Sequence, residues 1–393
     1  LKIPCISHSS SRLLGALRSQ RIHPYVHFYS TIDVHERSVL FWEYVGDNYV
    51  NFKHMLTMSE HTDLMVVVDD TYEGLLDQAQ LDVIIQDIEK YTKNYIIYSS
   101  NEKLQGDRVY FFSYHLFYAN YDNIDVQKDK VEFNTLPRSR KFLCLNRQPR
   151  WHRYEIVDFL IRNNMLEGNY ISCGLMEGDV LLSENTASRT MIENYRKKDY
   201  LDSDIIEHDL PERTAERLSK HLPLNLDVNE VDRANITLRR HMPNLEKYFQ
   251  DSYWSIITER DFYSDDYRGW TEKVLKAFFY GHPFIVVGLP GTLASLQKMG
   301  FITFGAFIDE SYDREEDHKT RMKMIQEQIL RLNSLNHAEH YNLYQRMLPL
   351  LQHNRQMYLE QNRSYIPSKL INKVLEWYYR DCNLDDTASL DAL

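Results

Sequence analysis

Cysteine is scarce in this chain: four residues in 393, at positions 5, 144, 173 and 382, with no metal-ligand spacing among them. So few thiols exclude a disulfide scaffold. Cys144 and Cys173, in apolar surroundings, read as buried free thiols of a reducing compartment. No run of eighteen apolar residues occurs, so no membrane-spanning helix is expected. The opening LKIPCISHSSSRLLGALRSQ lacks the apolar core and cleavage site of a signal peptide, which points to a cytoplasmic location. Positive charge is also short, with 46 lysines and arginines against 57 acidic residues and a formal charge of −11. A general polyanion binder needs a basic surface, so nucleic acid is not an expected partner. A local basic pocket for a diphosphate is still compatible with that balance.

What the chain has is material for a core. Hydrophobic residues at 43% and aromatics at 13% are ample for a globular protein. Its length exceeds one ordinary core and suggests two domains. Strands are expected at 64–70, 94–98, 108–114, 141–145 and 255–258, and helices at 39–45, 81–91, 151–163, 313–335 and 367–379. The helix over 313–335 carries Met322, Ile325, Ile329 and Leu332 on one stripe. Alternating strands and helices imply an α/β fold with parallel sheets. A polar stretch at 121–140, with Leu136-Pro137-Arg138, marks a boundary. The expected division is a domain over 1–138, a second over 139–355, and a helix with an acidic tail over 356–393.

The most informative stretch runs from 252 to 313. It reads as strand, loop, helix, strand, glycine turn, helix and strand. Trp270-Thr271-Glu272-Lys273 opens a helix whose Val274, Leu275, Ala277, Phe278 and Phe279 are apolar. Gly281-His282-Pro283 closes it and releases the chain into the buried strand Phe284-Ile285-Val286-Val287. Gly288, Gly291 and Thr292 then form a turn, which either faces a phosphate or serves turn chemistry alone. It matches neither G-x-G-x-x-G nor a P-loop.

The run Trp270-Thr271-Glu272-Lys273 through Ala277, followed by Gly281 through Gly288, resembles the donor-site block of family 10 fucosyltransferases. Those enzymes carry a T-E-K helix start, a few apolar residues and a G-x-x-P-I-x-x-G strand. With Gly300-Phe301 and Phe307 through Asp313, the wider string also resembles uncharacterised glycosyltransferase-like proteins of phages and marine microbes. The resemblance covers residues 140–315. It implies a GT-B type fold of two Rossmann-like domains with an interdomain cleft, and inverting, metal-independent sugar transfer from a GDP- or UDP-sugar to a glycan or other hydroxyl acceptor. No cofactor beyond the nucleotide-sugar donor is required by that chemistry. The segment DFYSDDYRG departs from the family's approach to T-E-K, which leaves the base and the sugar open.

Candidate donor-binding residues follow. Asn146-Arg147-Gln148-Pro149-Arg150-Trp151-His152-Arg153 comes directly after a buried strand and opens a helix. Arginine forks there can grip phosphate oxygens beside a helix N-terminus that already favours anions; otherwise the run is a solvated basic turn. The family uses an arginine of this region on the donor diphosphate, which puts Arg147 first, then Arg150 and Arg153. By the same resemblance Glu272 of T-E-K takes the ribose hydroxyls and Lys273 reaches the phosphates, with Thr271 and Gly288 beside them. The alternative is a first-turn glutamate that only complements the helix dipole. Glu259, at a strand end, either faces the donor or is a solvated acid. In the first domain Asp69, Asp70 and Glu73 lie just past a strand, where a carboxylate can take the acceptor proton. Asp70 equally reads as the cap of a helix starting near Tyr72. Two other functions stay open, an inactive nucleotide-binding interaction module and a viral enzyme that puts sugar on DNA bases.

Overall fold

Strands apolar on both faces must be covered from both sides, and the sheets here are built from them. The computed structural model describes residues 2–7, 27–31, 37–44, 48–60, 62–71, 74, 76–113, 133–146, 150–174, 176–177, 180–181, 213–224, 243–263, 270–364 and 368–380. The chain divides into two units, one of Leu1–Phe117, Asp266–Gly269 and Ser364–Leu393, the other of Tyr118–Asp265 and Trp270–Arg363. Both are α/β units with parallel sheets, in keeping with the alternating pattern of the sequence.

The first unit holds β1 (Lys2–Ser7), β2 (His27–Thr31), β3 (Arg37–Glu43), β4 (Asp63–Asp70), β5 (Tyr95–Ser99) and β6 (Val109–Phe111). They form one parallel sheet in the order β2-β1-β3-β4-β5-β6. Helices α1 (Tyr49–Met58) and α2 (Gln78–Ile88) cover one face. There Leu40, Trp42, Val66, Val68 and Ile97 pack with Phe52, Leu56, Leu81, Ile84 and Ile88. The Trp42 and Phe52 rings stack at 3.9 Å. Each fully buried side chain of this size contributes about 1.5–3 kcal/mol. A capping box starts α2: the Gln80 N–H donates to Asp77 Oδ1 at 2.7 Å, and the Asp77 N–H donates to Gln80 Oε1 at 3.1 Å.

The helix expected over 39–45 is instead strand β3. Ser38 through Glu43 are all buried between β1 and β4, and a central strand covered on both faces shows no polar alternation. Its unbroken apolar run therefore carries no period by which to tell strand from helix.

The second unit holds β7 (Arg140–Asn146), α3 (Trp151–Arg162), β8 (Tyr170–Cys173), the short pair β9 (Met176–Glu177) and β10 (Val180–Leu181), α4 (Arg213–Ser219) and α5 (Pro243–Asp251). It continues with β11 (Ser252–Thr258), α6 (Glu272–Tyr280), β12 (Phe284–Val287), α7 (Thr292–Lys298), α8 (His318–Ser334) and α9 (His337–Ser364). Its main sheet runs β12-β11-β7-β8, all parallel. Helix α4 is tied to α3 by the buried Asp158, whose carboxylate accepts from Arg217 Nε at 2.7 Å, Arg217 Nη2 at 2.9 Å and Arg162 Nε at 3.0 Å. The stripe read on α8 is its buried face: Met322, Ile325, Ile329 and Leu332.

The strand expected after α7 does not form. Residues 301–310 bend instead around Glu310, which accepts from the Thr303 hydroxyl and the Phe304 N–H, both at 2.7 Å. A backbone drawn onto one carboxylate is not free to join a sheet.

The last helix, α10 (Ser368–Tyr379), belongs to the first unit, although the sequence sets residues 356–393 apart. Leu370, Ile371, Val374 and Trp377 are its buried face. Arg37 donates to the Tyr378 carbonyl and lies over the Trp377 ring at 5.8 Å, and Arg380 pairs with Asp63 at 2.6 Å. No helix among the described residues is long and apolar enough to cross a membrane.

Candidate functional site

Because β7 and β11 are parallel neighbours, the helices that follow them, α3 and α6, begin at the same edge of the second sheet. Ligands of open parallel α/β sheets bind at that carboxyl edge. Polar side chains gather there. The Thr258 hydroxyl donates to Asn146 Oδ1 across the two strand ends, and the Asn146 N–H donates to Ser172 Oγ at 3.1 Å.

Helix α6 starts where the sequence places it. Thr271 is its N-cap, with extended backbone at φ −117° and ψ −176°, and its hydroxyl oxygen accepts from the Lys273 ammonium at 3.0 Å. Gly281 ends the helix in the left-handed region at φ 61°. Glu272 is the first helical residue and Lys273 the second, so both belong to the turn where the helix dipole and open amides favour an anion.

Glu259 continues β11, its N–H donating to the Val287 carbonyl at 2.9 Å. Its side chain is not a solvated strand-end acid: the residue is 2% exposed. Oε1 accepts from the Thr271 N–H at 3.1 Å, Oε2 accepts from the Thr271 hydroxyl, and the Lys273 ammonium lies 3.9 Å from Oε2. Gly288 borders this group. A Cβ there would come within 3.4 Å of Glu259 Cβ and 3.3 Å of Thr292 Oγ1, so the glycine leaves room where the strand end and the cap meet.

The first turn of α3 points at the same residue. His152 Nε2 donates to the Glu259 carbonyl at 2.9 Å, and Arg153 Nη2 donates to it at 3.0 Å. Since a carbonyl only accepts, Nε2 carries the imidazole proton. Burial, with the Arg153 charge beside it, holds His152 well below the ordinary histidine range, so the ring is neutral. Arg153, itself buried, thus works on the end of β11. Arg150, half-buried, is the N-cap residue of α3 and stands at the edge where that helix begins. Arg147 lies outside the described residues. Arg260 sits 3.9 Å from Asp261, the local pairing its neighbour invites.

The glycine turn before α7 has an internal anion. Asp313 Oδ1 accepts from the Leu293 N–H at 2.9 Å and Oδ2 from the Ala294 N–H at 3.0 Å, while its carbonyl accepts from the Gly291 N–H at 2.7 Å. Those amides, which a phosphate-facing turn would offer to a ligand, are taken by a carboxylate twenty residues on. Nothing in the spacing of Asp313 announces that role. His282 is likewise internal: Nδ1 is 2.7 Å from Ser255 Oγ and Nε2 is 2.6 Å from the Ser252 carbonyl.

In the first unit, Asp69 and Asp70 end β4, both nearly fully buried. Asp69 Oδ1 accepts from the Thr71 hydroxyl at 2.7 Å and the Thr71 N–H at 3.2 Å. Asp70 Oδ2 accepts from the Ser99 hydroxyl at 2.7 Å and the Leu76 N–H at 3.3 Å. Asp70 therefore shapes the loop before α2, whose cap is Asp77 rather than Asp70. Glu73 lies outside the described residues.

Cys144 and Cys173 are buried free thiols, as their surroundings in the sequence suggest, and burial pushes Cys144 up to about 12. Among the described residues no three histidines, cysteines or carboxylates are grouped to hold a metal ion. The structure thus brings together Glu259, Thr271, Lys273, Gly288 and Arg153 in one network, with Arg150 at the same sheet edge. Asp69 and Asp70 form a separate polar cluster in the first unit. No family model, no curated protein and no solved structure matches this chain.

Proposed function

We propose that the chain is a glycosyltransferase of the GT-B type, moving a sugar from a GDP- or UDP-sugar to a hydroxyl acceptor. The observation that carries this reading is the shared start of α3 and α6 at the carboxyl edge of a parallel sheet, with Arg150 at the N-cap position of one helix and Thr271 and Lys273 in the cap and first turn of the other. The T-E-K string that resembles the fucosyltransferases opens α6, and Gly281-His282-Pro283 leads from that helix into β12.

In this reading the donor diphosphate is held by Lys273, Arg150 and Arg147, with the amides of α6, and Glu272 takes the ribose hydroxyls. The acceptor oxygen attacks the anomeric carbon in line as the bond to the phosphate oxygen breaks. The nucleoside diphosphate leaves, its charge stabilised by the cations and the helix dipole without a required metal. The acceptor proton passes to a general base. Inversion at the anomeric carbon follows from the resemblance.

The test is a thermal-shift and calorimetric screen against GDP, UDP, ADP, CMP and dTDP, repeated with Glu272→Ala. One nucleotide at a hundred times its dissociation constant stabilises the fold by about 2.7 kcal/mol, and the variant loses that gain. Binding of none would overturn the reading. A nucleotide-binding module without transferase activity is the second reading. It is favoured by the inward commitment of Arg153 and by the Asp313 carboxylate on α7. A protein that binds the nucleotide yet neither transfers nor hydrolyses its sugar would be that module.

A further inference from the structure

We infer that Glu259 is a positioning residue of the nucleotide site, one that aims Lys273 through Thr271, and not itself a ligand contact. The inference rests on the donor-site reading above.

Three features carry it. The first is the direction of the hydrogen bonds. Lys273 Nζ donates to Thr271 Oγ1 at 3.0 Å, and the Thr271 hydroxyl passes its own proton on to Glu259 Oε2. With its proton committed to the carboxylate, the threonine oxygen turns its lone pairs to the ammonium. The carboxylate thus decides where the lysine is held. The second is the grip on Glu259. Its main-chain N–H is bound to Val287, and its carbonyl accepts from His152 at 2.9 Å and Arg153 at 3.0 Å. A side chain on so fixed a backbone transmits the position of the sheet to the cap of α6. The third is burial: Glu259 is 2% exposed, while a quarter of the Lys273 side chain is exposed, so of the two the lysine is the group open to a ligand.

Two opposite effects follow from neutralising Glu259, and their sign decides the matter. As a bare negative charge near a diphosphate, Glu259 opposes binding, and Glu259→Gln would tighten it. As a positioning group it supports binding. A glutamine offers one acceptor where two are used, and turns an N–H toward a donor of Thr271, so the cap and the lysine lose their aim.

The experiment is a double-mutant cycle on the purified full chain, with GDP and UDP as calorimetric probes and thermal melts confirming each fold. Its four proteins are wild type, Glu259→Gln, Lys273→Met and the double variant. Glu259→Gln is expected to weaken the bound nucleotide about tenfold when Lys273 is present, and less than about twofold in the Lys273→Met background. Unchanged or tighter binding, or an equal loss in both backgrounds, would overturn the inference while the nucleotide site stands. A wild type that binds neither probe would instead remove the donor site, and the inference with it. Should Glu259→Gln not fold, Thr271→Ala at the half-buried cap repeats the cycle, with the same dependence on Lys273 expected and additivity overturning it.

Discussion

Two glycines in the second unit share a backbone conformation and differ in what surrounds them, which makes a paired test of the packing. Gly281 closes α6 at φ +61° and Gly291 caps α7 at φ +81°. An alanine at either site costs about 1–2 kcal/mol for a left-handed L-residue. At Gly291 nothing lies within 4 Å of the added methyl, so that is the whole cost. At Gly281 the methyl falls inside the van der Waals surface of the Phe133 ring. The Arg355 guanidinium lies over that ring at 5.1 Å, so a ring that retreats also disturbs this contact. Overpacking of this kind adds about 1–3 kcal/mol, for a total of about 2–5 kcal/mol. Urea unfolding should therefore show a small shift in midpoint for Gly291→Ala and a clearly larger one for Gly281→Ala, with the slope unchanged in both. In a unit of this size each kcal/mol lowers the melting temperature by about 2–4 °C. Equal losses at the two positions would refute the placement of Phe133 against the end of α6, and with it the frame that sets the site helix.

Acid should weaken the fold through its buried histidines. Burial, aided by the charge of Lys141, lowers His340 from 6.5 to about 4, and His152 and His282 move the same way. The unfolded chain then takes these protons first, so stability is intact above about pH 6.5 and is lost as pH falls toward about 4. His340→Phe, which keeps a ring against Tyr253, should narrow the gap between urea midpoints at about pH 7.5 and about pH 5. Asp158→Asn should cost about 1–3 kcal/mol by removing the charge that receives Arg217 and Arg162; an unchanged midpoint would show that α4 is held by other contacts.

Elements with a period or a clear stop signal were legible in the sequence. The 322–325–329–332 stripe of α8, the opening of α6 within Trp270–Lys273 and the Gly281 stop all fall where pattern and terminal chemistry put them. The central strands were harder. β4 was readable because its apolar run ends in two aspartates, whereas β3 has no such end and passes for a helix. The long helix α9 was not read at all, since Pro349 lies inside it and a proline ordinarily marks a break. At the site, residue identity was legible and direction was not. Glu259, His152 and Arg153 are charged or polar groups at element ends, where solvent or ligand is the default partner. Their inward turn depends on two helices starting at the same sheet edge, which no local window contains. Asp313 is the extreme case, a carboxylate whose partners lie twenty residues earlier, at the start of α7.

The return of α10 to the first unit sets the order in which the molecule can be completed. On the ribosome, β1 through β6 emerge long before the strands of the second unit. Yet Arg37 and Asp63, already paired with each other, meet the Trp377 ring and Arg380 only after residues 368–380 have been added. The unit begun earliest among the described elements is thus closed last. Until then its strands wait without that helix, while the second unit, from residue 118 to 363, has every described element it needs as soon as α9 clears the tunnel.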